Sequence, residues 1–327
     1  MKFYLAPMEG VTGYLYRSTY HQFFHPMDAY YTPFIVPTQN RKLTSREKND
    51  ILPENNQGMK VIPQILTNKA DDFIWAANEI GSYGYREVNL NLGCPSGTVV
   101  SKGRGSGFLA DPEKLDQFLD AIFSGLSMTK SGQAMEISVK TRIGKYSSEE
   151  FPELMEIFNK YPIKELTIHP RVQKDFYRNK PDMAAFAEGA RISKIPVCYN
   201  GNIFTAEDYE NFIKTFPDID SVMVGRGLIG NPGLVERIVD GKTLEKQRLK
   251  DFHNALLNGY SEVISGDRNV LFKMKELWIY MICLFPGSEK YGKAIRKSHR
   301  MGEYEAAVNS LFRDLDIGEY AGYQANE

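Results

Sequence analysis

Short apolar, β-branched runs alternate with helical patterns through the first part of this chain, and that alternation restricts its fold more than any other feature. The runs are Lys2–Ala6, Asp28–Tyr31, Val61–Ile65, Glu87–Asn91, Glu136–Thr141, Glu165–His169, Val197–Asn200 and Ser221–Val224. Helical periodicity fills most of the gaps, as in Ala70–Ser82, Pro112–Gly125, Ser148–Tyr161 and Ala206–Phe216. Start signals mark two of these helices: Asp111 before Pro112, and Thr205 before Ala206-Glu207-Asp208. Eight strands with seven or eight helices predict an α/β fold, the (β/α)8 TIM barrel. An open doubly wound sheet is the alternative, disfavoured because no GxGxxG follows the first strand. The second strand and the polar stretch Thr38–Gly58 fit the pattern least well.

After Gly241 the strand runs stop. Leu249–Ile264, Val270–Leu284, Tyr291–Arg300 and Tyr304–Leu315 read as four helices, broken at Gly266, Pro286-Gly287 and Gly302. The expected organisation is a barrel over residues 1–242 and a small all-helical domain over 243–327.

No apolar run approaches the roughly 18 residues that a membrane span requires. The first residues, Met1 to Pro7, lead straight into a strand without a signal-peptide region. Cys94, Cys198 and Cys283 are too few and too scattered for a disulfide framework or a CxxC metal site. The expected setting is the reduced cytoplasm. A net charge of −1 does not announce a polyanion binder. One basic cluster stands out, with Lys290, Lys293, Arg296, Lys297, His299 and Arg300 close together. By itself it reads as a solvated helix face.

The strand exits are unusually polar. In order they carry Ala6-Pro7-Met8, Gln64, Asn91 with Cys94, Lys140, His169 with Arg171, Asn200-Gly201-Asn202, and Gly225-Arg226-Gly227. A barrel gathers all of these at one mouth, where barrel enzymes do their chemistry. Lys and His are not favoured helix caps, so Lys140 and His169 at successive exits point to a shared site. Gly201, Gly225 and Gly227 free backbone amides to approach an anion, and Arg226 can add a bidentate charge. A phosphate on one side with Gln64 and Lys140 at the centre suits FMN, and Lys140 would stabilise the negative charge of a reduced flavin. Another phosphorylated ligand fits these features as well. In Asn91-Leu92-Gly93-Cys94-Pro95, Gly93 permits a turn and Pro95 fixes the next backbone angle, so Cys94 is aimed out of a rigid strand end. A small buried thiol in a tight turn is the plainer reading of Cys94 alone.

Taken together, these residues resemble the tRNA-dihydrouridine synthases, flavoenzymes that reduce uridine in tRNA to 5,6-dihydrouridine. The resemblance runs nearly end to end. It includes Ala6-Pro7-Met8-Glu9-Gly10-Val11-Thr12, Gln64, the Asn91–Pro95 segment and the glycine-rich Lys102–Gly107 loop. It continues through Lys140-Thr141-Arg142, His169, Arg171, Asn200-Gly201 and Val224-Gly225-Arg226-Gly227. It implies an FMN held near Pro7 and Met8 by Gln64, Lys140, His169, Asn200, Gly201, Asn202, Gly225 and Arg226. It implies Cys94 as the catalytic acid, with Asn91 and Arg171 near the target base and its phosphate. Pro170 and Val172 stand where the family often has Gly and Thr, and Asn202 where it often has an acid.

The implied reaction delivers hydride from the flavin to C6 of uracil and a proton from Cys94 to C5, on the opposite face. A thiol with a reference pKa of about 8.5 stays protonated near neutrality and is still able to donate. NADPH is the implied reductant, taking turns with tRNA at the mouth. The target uridine must be splayed out of its stack to enter. Given a tRNA partner, the basic cluster with Lys293, Arg296 and Lys297 becomes the expected phosphate contact. No metal or membrane partner is expected, and the chain is read as a monomer. Two other readings stay open: a dihydroorotate or dihydropyrimidine dehydrogenase-like FMN barrel, and a catalytically silent RNA-binding barrel.

Overall fold

The computed structural model describes residues 1–126, 134–318 and Tyr323. All strands pair in parallel. They are β1 (Lys2–Leu5), β2 (Ala29–Tyr31), β3 (Val61–Ile62), β4 (Gln64–Ile65), β5 (Glu87–Leu92), β6 (Glu136–Arg142), β7 (Leu166–His169), β8 (Val197–Tyr199) and β9 (Ser221–Val224). Their hydrogen-bonded order is β3-β2-β1-β9-β8-β7-β6-β5-β4. The two ends of that order, β3 and β4, are consecutive halves of the single expected strand Val61–Ile65. Pro63 between them has no amide hydrogen for the ladder, and the strand divides there. One half pairs with β2 and the other with β5, so the chain itself closes the ring. The result is the expected (β/α)8 barrel with its third strand broken. Asp28 lies just outside β2, where its carboxylate accepts the Phe3 amide at 2.8 Å.

The barrel helices are α1 (Tyr14–Phe23), α2 (Ser45–Ile51), α3 (Ala70–Ser82), α4 (Gly97–Val100), α5 (Pro112–Leu126), α6 (Phe151–Phe158), α7 (Met183–Ile192) and α8 (Ala206–Thr215). After β9 come α9 (Arg226–Gly230) and α10 (Leu234–Asp240). Thr205 caps α8 as its sequence suggests, in a reciprocal box with Asp208. The polar stretch after β2 gains its order from α2, where a Thr44–Glu47 capping box starts the helix. The Ser148–Tyr161 pattern divides into a 3-10 turn over Ser148–Glu150 and α6, which ends at Phe158.

Strand side chains alternate between the barrel interior and the helical layer. Tyr4, Ala6, Ala29, Tyr31, Ile62, Cys198 and Met223 form one buried apolar cluster inside the ring. On the same inward register toward the mouth lie Gln64, Asn89, Asn91 and Lys140, with Gln64 beside Asn89 and Asn91 beside Lys140. The apolar floor and polar mouth thus come from one alternating pattern.

Four further helices follow: α11 (Lys246–Val263), α12 (Asp267–Met281), α13 (Glu289–Lys297) and α14 (Met301–Asp314). Gly266 and Pro286-Gly287 separate them as expected. Gly302 does not. It lies in the first turn of α14, and the break falls at Ser298–Arg300, where the Glu303 carboxylate accepts the His299 and Arg300 amides. A buried trio, His253, Tyr304 and Trp278, ties α11, α12 and α14 together: the Tyr304 hydroxyl lies 2.7 Å from His253 Nε2 and accepts Trp278 Nε1–H at 2.8 Å. These helices dock on α1. The Phe252 ring packs edge-on to Tyr16, Phe23 and Phe24, and Arg248 bonds the Phe23 carbonyl while pairing with Glu236 at 2.7 Å. Among the described residues, no helix is long and apolar enough to cross a membrane.

Candidate active site

The turn after β5 is built by one side chain. Asn91 Oδ1 accepts the Gly93 amide at 3.0 Å and the Cys94 amide at 2.9 Å. Its Nδ2 donates to Gln64 Oε1 at 2.7 Å, Gln64 Nε2 donates to Asn89 Oδ1 at 2.7 Å, and Asn89 Nδ2 reaches Ser138 Oγ at 3.1 Å. This relay of buried amides crosses β4, β5 and β6 and leaves Asn91 one free N–H to offer a ligand. The glycine-rich loop closes from the other side. Ser106 donates through its amide and hydroxyl to the Cys94 carbonyl, at 3.1 and 2.8 Å. Gly105 has φ +56°, and a side-chain carbon there would fall 2.7 Å from that carbonyl, so only glycine fits. Cys94 is half-buried, and burial pushes its thiol pKa up. The group is therefore a protonated thiol near neutrality.

Arg142, whose type and position in the sequence suggest no separate role, locks this turn to the next loop. It is completely buried. Its Nε donates to the Gly93 carbonyl at 3.0 Å, Nη1 to Val172 at 2.8 Å and Nη2 to Phe176 at 2.8 Å. Phe176 itself takes a left-handed backbone, φ +48°, a conformation costly for an aromatic residue unless its surroundings hold it. The period of two from Ser138 through Lys140 to Arg142 is the signal in the sequence that places all three on one face.

Cations crowd the mouth. Lys140 is half-buried on β6 beside Asn91, and desolvation, helped by Arg142, lowers its pKa to about 8. His169 registers against Arg142 on the neighbouring strand. Its Nε2 lies 2.9 Å from Arg171 Nη1; a guanidinium can only donate, so Nε2 is the acceptor and the ring proton sits on Nδ1. Burial, then the nearby Arg142, Lys140, Arg171 and Arg226, holds His169 well below its ordinary pKa, as a neutral imidazole. Arg171 is 1% exposed. It donates to the Asn179 carbonyl at 2.7 Å and to Asn202 Oδ1 at 3.0 Å, and burial lowers its pKa to about 10. Arg171 therefore sits beneath His169 and Asn202, enclosed, with its contacts to the chain itself. Arg226 reaches the same Asn202 oxygen at 3.1 Å. One neutral amide thus separates two guanidiniums. Among the described residues, none of Lys140, Arg142, Arg171 and Arg226 has a carboxylate within ion-pair distance.

Such a cluster calls for an anion. The loops beside it are shaped to admit one. The Pro7–Met8 turn is pinned by Thr12, whose hydroxyl accepts the Met8 amide at 2.8 Å. It abuts Gly225, where an added side chain would meet the Met8 sulfur at 3.3 Å. Asn200 holds the Met223 carbonyl at 2.7 Å, and Gly201 lies so close to the Tyr199 hydroxyl that a Cβ would fall 1.9 Å from it. The structure brings Pro7, Met8, Asn200, Gly201, Asn202, Gly225 and Arg226 to one edge of the mouth, with Gln64, Lys140 and His169 towards the centre. These residues fit a phosphate-bearing anionic cofactor such as FMN.

Sequence reasoning missed the aromatic cover on that edge. Tyr177 stacks on Arg226 with the guanidinium 4.2 Å above its ring, and Phe204 and Tyr323 flank the same group at 5.2 and 5.6 Å. Three distant segments meet there, and no local pattern marks them. Lys293, Arg296 and Lys297 are all exposed on α13, which is not one of the elements that carry the mouth residues.

Comparison with known proteins gives the family and the fold. A family model described as dihydrouridine synthase matches residues 4–313. A probable tRNA-dihydrouridine synthase from Staphylococcus aureus (strain MRSA252) is 27% identical over 270 residues, covering 80% of this chain and 78% of the relative. A tRNA-dihydrouridine(16) synthase from Escherichia coli O157:H7 is 31% identical over 248 residues, covering 72% and 74%. Among solved structures, a morphinone reductase in complex with tetrahydroNAD shares the barrel at a TM-score of 0.53 and 11% identity, covering 77% of this chain and 90% of that one. An old yellow enzyme homologue from Zymomonas mobilis does so at 0.51 and 12%, covering 75% and 90%. With nearly the whole length matched by one family model, the chain belongs to the dihydrouridine synthase family.

Proposed function

We propose that this dihydrouridine synthase reduces the C5–C6 bond of a D-loop uridine in tRNA, using FMN and NADPH, with Cys94 as the proton donor. The observation that carries the reading is the Cys94 turn, held by Asn91 and set beside a cation cluster that has no carboxylate partner among the described residues. FMN, when bound, would supply hydride for the base, and NADPH would be the reductant that renews it. Gly201, Gly225 and Arg226 would hold its phosphate, and Pro7, Met8, Gln64, His169 and Asn200 would position the rest. Asn202 bonds both Arg171 and Arg226 without neutralising them, so Arg226 keeps its charge for an anion. The Lys140 ammonium balances negative charge at the centre of the mouth. Reduction at C6 would leave negative charge on C5 and O4 of the base, the charge that a proton donor and an N–H at this mouth would meet. Cys94 Sγ–H gives its proton to C5, and the free N–H of Asn91 steadies a uracil carbonyl. Arg171 acts as a positioning residue for His169 and Asn202.

The region 243–327, whose described helices run from Lys246 to Asp314, serves as the tRNA-binding domain, with Lys293, Arg296 and Lys297 on phosphates. The protein works as a cytoplasmic monomer. Two measurements test the reading. The purified protein should be yellow and release FMN on denaturation. The tRNA of cells lacking the protein should lose dihydrouridine at a D-loop position, and should regain it when purified protein and NADPH are added. Colourless protein and unaltered tRNA would remove it.

A further inference from the structure

Helix α12 turns two large apolar side chains to solvent. Phe272 is 69% exposed and Ile279 63%, the two highest values among the large hydrophobic residues described. Seven residues apart, they lie on one helix face. The opposite face, with Val270, Met274, Leu277 and Met281, is buried in the helical region. The two flanks between these faces decide what the exposed stripe adjoins.

On one flank α12 forms the rim of the barrel mouth. Lys273 Nζ donates to the Gly10 carbonyl at 2.6 Å, and the Glu276 carboxylate lies 3.4 Å from where a Gly10 side chain would begin. One turn on, Tyr280 packs against Tyr323 at 5.3 Å, the ring that also flanks Arg226. On the other flank Lys275 bonds the Ser298 carbonyl at the end of α13, beside the exposed Lys297 and Arg300. The stripe therefore bridges the mouth and the basic surface of α13.

Isolated exposed apolar residues need no explanation. An aromatic and an aliphatic side chain on one face, with a reaction mouth on one side and exposed cations on the other, match a surface that stacks bases and tracks a phosphate backbone. We propose that Phe272, supported by Ile279, is a stacking platform for an unpaired nucleotide next to the uridine that enters the barrel. The proposal rests on the tRNA reading above. Drawing one base out of a loop unstacks its neighbour, and the neighbour's apolar face then needs a partner within a few ångströms of the rim.

The test compares Phe272→Ala, Phe272→Trp and Ile279→Glu with the wild type, using an unmodified tRNA transcript titrated at several salt concentrations. Flavin content and melting temperature establish that each variant is folded. Phe272→Ala should weaken tRNA binding by about five- to 150-fold, the worth of one stacked base. The slope of log affinity against log salt should not change, because every cation facing a phosphate is still in place. Phe272→Trp should retain the affinity, with an indole emission change on RNA addition that the wild type lacks. Unaltered affinity in a folded Phe272→Ala variant, alongside wild-type binding, overturns the platform and leaves the tRNA reading intact. No tRNA affinity in the wild type overturns both. A wild-type dimer that Ile279→Glu dissociates without changing RNA affinity would make the stripe a protein interface, and the proposal would fall.

Discussion

The Cys94 amide donates to Asn91 Oδ1 at 2.9 Å, so the thiol's position is set by a side chain three residues earlier in the same strand exit. Asn91 is itself fixed by Gln64 across the sheet. The reactive turn is thereby attached to the barrel wall at two points.

Removing that attachment should be costly. Asn91→Ala leaves the Gln64 oxygen and the Gly93 and Cys94 amides without their partner. A loss of about 1–3 kcal/mol in stability is expected for each group that stays buried and unsatisfied. Urea titration should show a lower midpoint at unchanged slope, together with slower reoxidation of the reduced flavin by tRNA. Wild-type stability and turnover would mean that the turn holds its shape without Asn91.

Arg142→Lys keeps the charge and loses the fork. A lysine cannot serve the Gly93, Val172 and Phe176 carbonyls together. The left-handed Phe176 should relax and the Cys94 turn should loosen, with tRNA-dependent turnover falling about ten- to a hundredfold, the scale of a misplaced reacting group. Rapid protease cleavage near Phe176 in the variant, absent from the wild type, reports the loosening. An unchanged cleavage pattern argues against the clamp.

Binding of an anionic cofactor should take up a proton. Lys140 in the free protein has its pKa lowered to about 8, and an anion beside it raises that value again. Between the two values the free lysine is neutral and the bound one charged, so affinity for FMN should fall as pH rises above 8. The stability of the free protein should show the opposite trend. The unfolded lysine holds its proton up to its ordinary pKa near 10.5, so from about pH 8 to that point unfolding takes up a proton and stability rises with pH. Calorimetry in two buffers of different ionisation enthalpy measures the uptake. Lys140→Met should abolish it, and equal uptake in that variant would assign the proton elsewhere.

The α13 cations should act through phosphates alone. Reversing Lys293, Arg296 and Lys297 to Glu should weaken tRNA binding and flatten its salt dependence, by roughly 0.9 in the log–log slope for each duplex phosphate that is no longer neutralised. Flavin content should hold. A slope identical to the wild type would return α13 to the role of a solvated face.

The strand runs were legible because each is largely buried and carries β-branched or aliphatic residues between turn signals, and the polar residues at their exits stood out against them. Lys140, His169 and Arg226 could be grouped from topology alone. Gly302 misled, because glycine marks a break only where the backbone needs it, and there the Glu303 cap supplies the start of the helix one residue earlier. Arg142 was in plain view at period two from Lys140, yet its partners are backbone carbonyls in two other loops, which no residue type announces. The cover of Tyr177, Phe204 and Tyr323 over Arg226 arises from long-range packing of three segments. Arg171 was expected near the target base and its phosphate, and its burial and its bonds to Asn179, His169 and Asn202 could not be read from its place after β7.

The most direct test of the account separates the two half-reactions in Cys94→Ala. NADPH should bleach the flavin as in the wild type, because the cation cluster and the phosphate edge are intact. Reoxidation of the reduced flavin by tRNA, followed by stopped-flow absorbance, should slow by about two to four orders of magnitude, the usual worth of a positioned acid. Reoxidation by tRNA at the wild-type rate would contradict the account and leave Cys94 as a packed thiol in a tight turn.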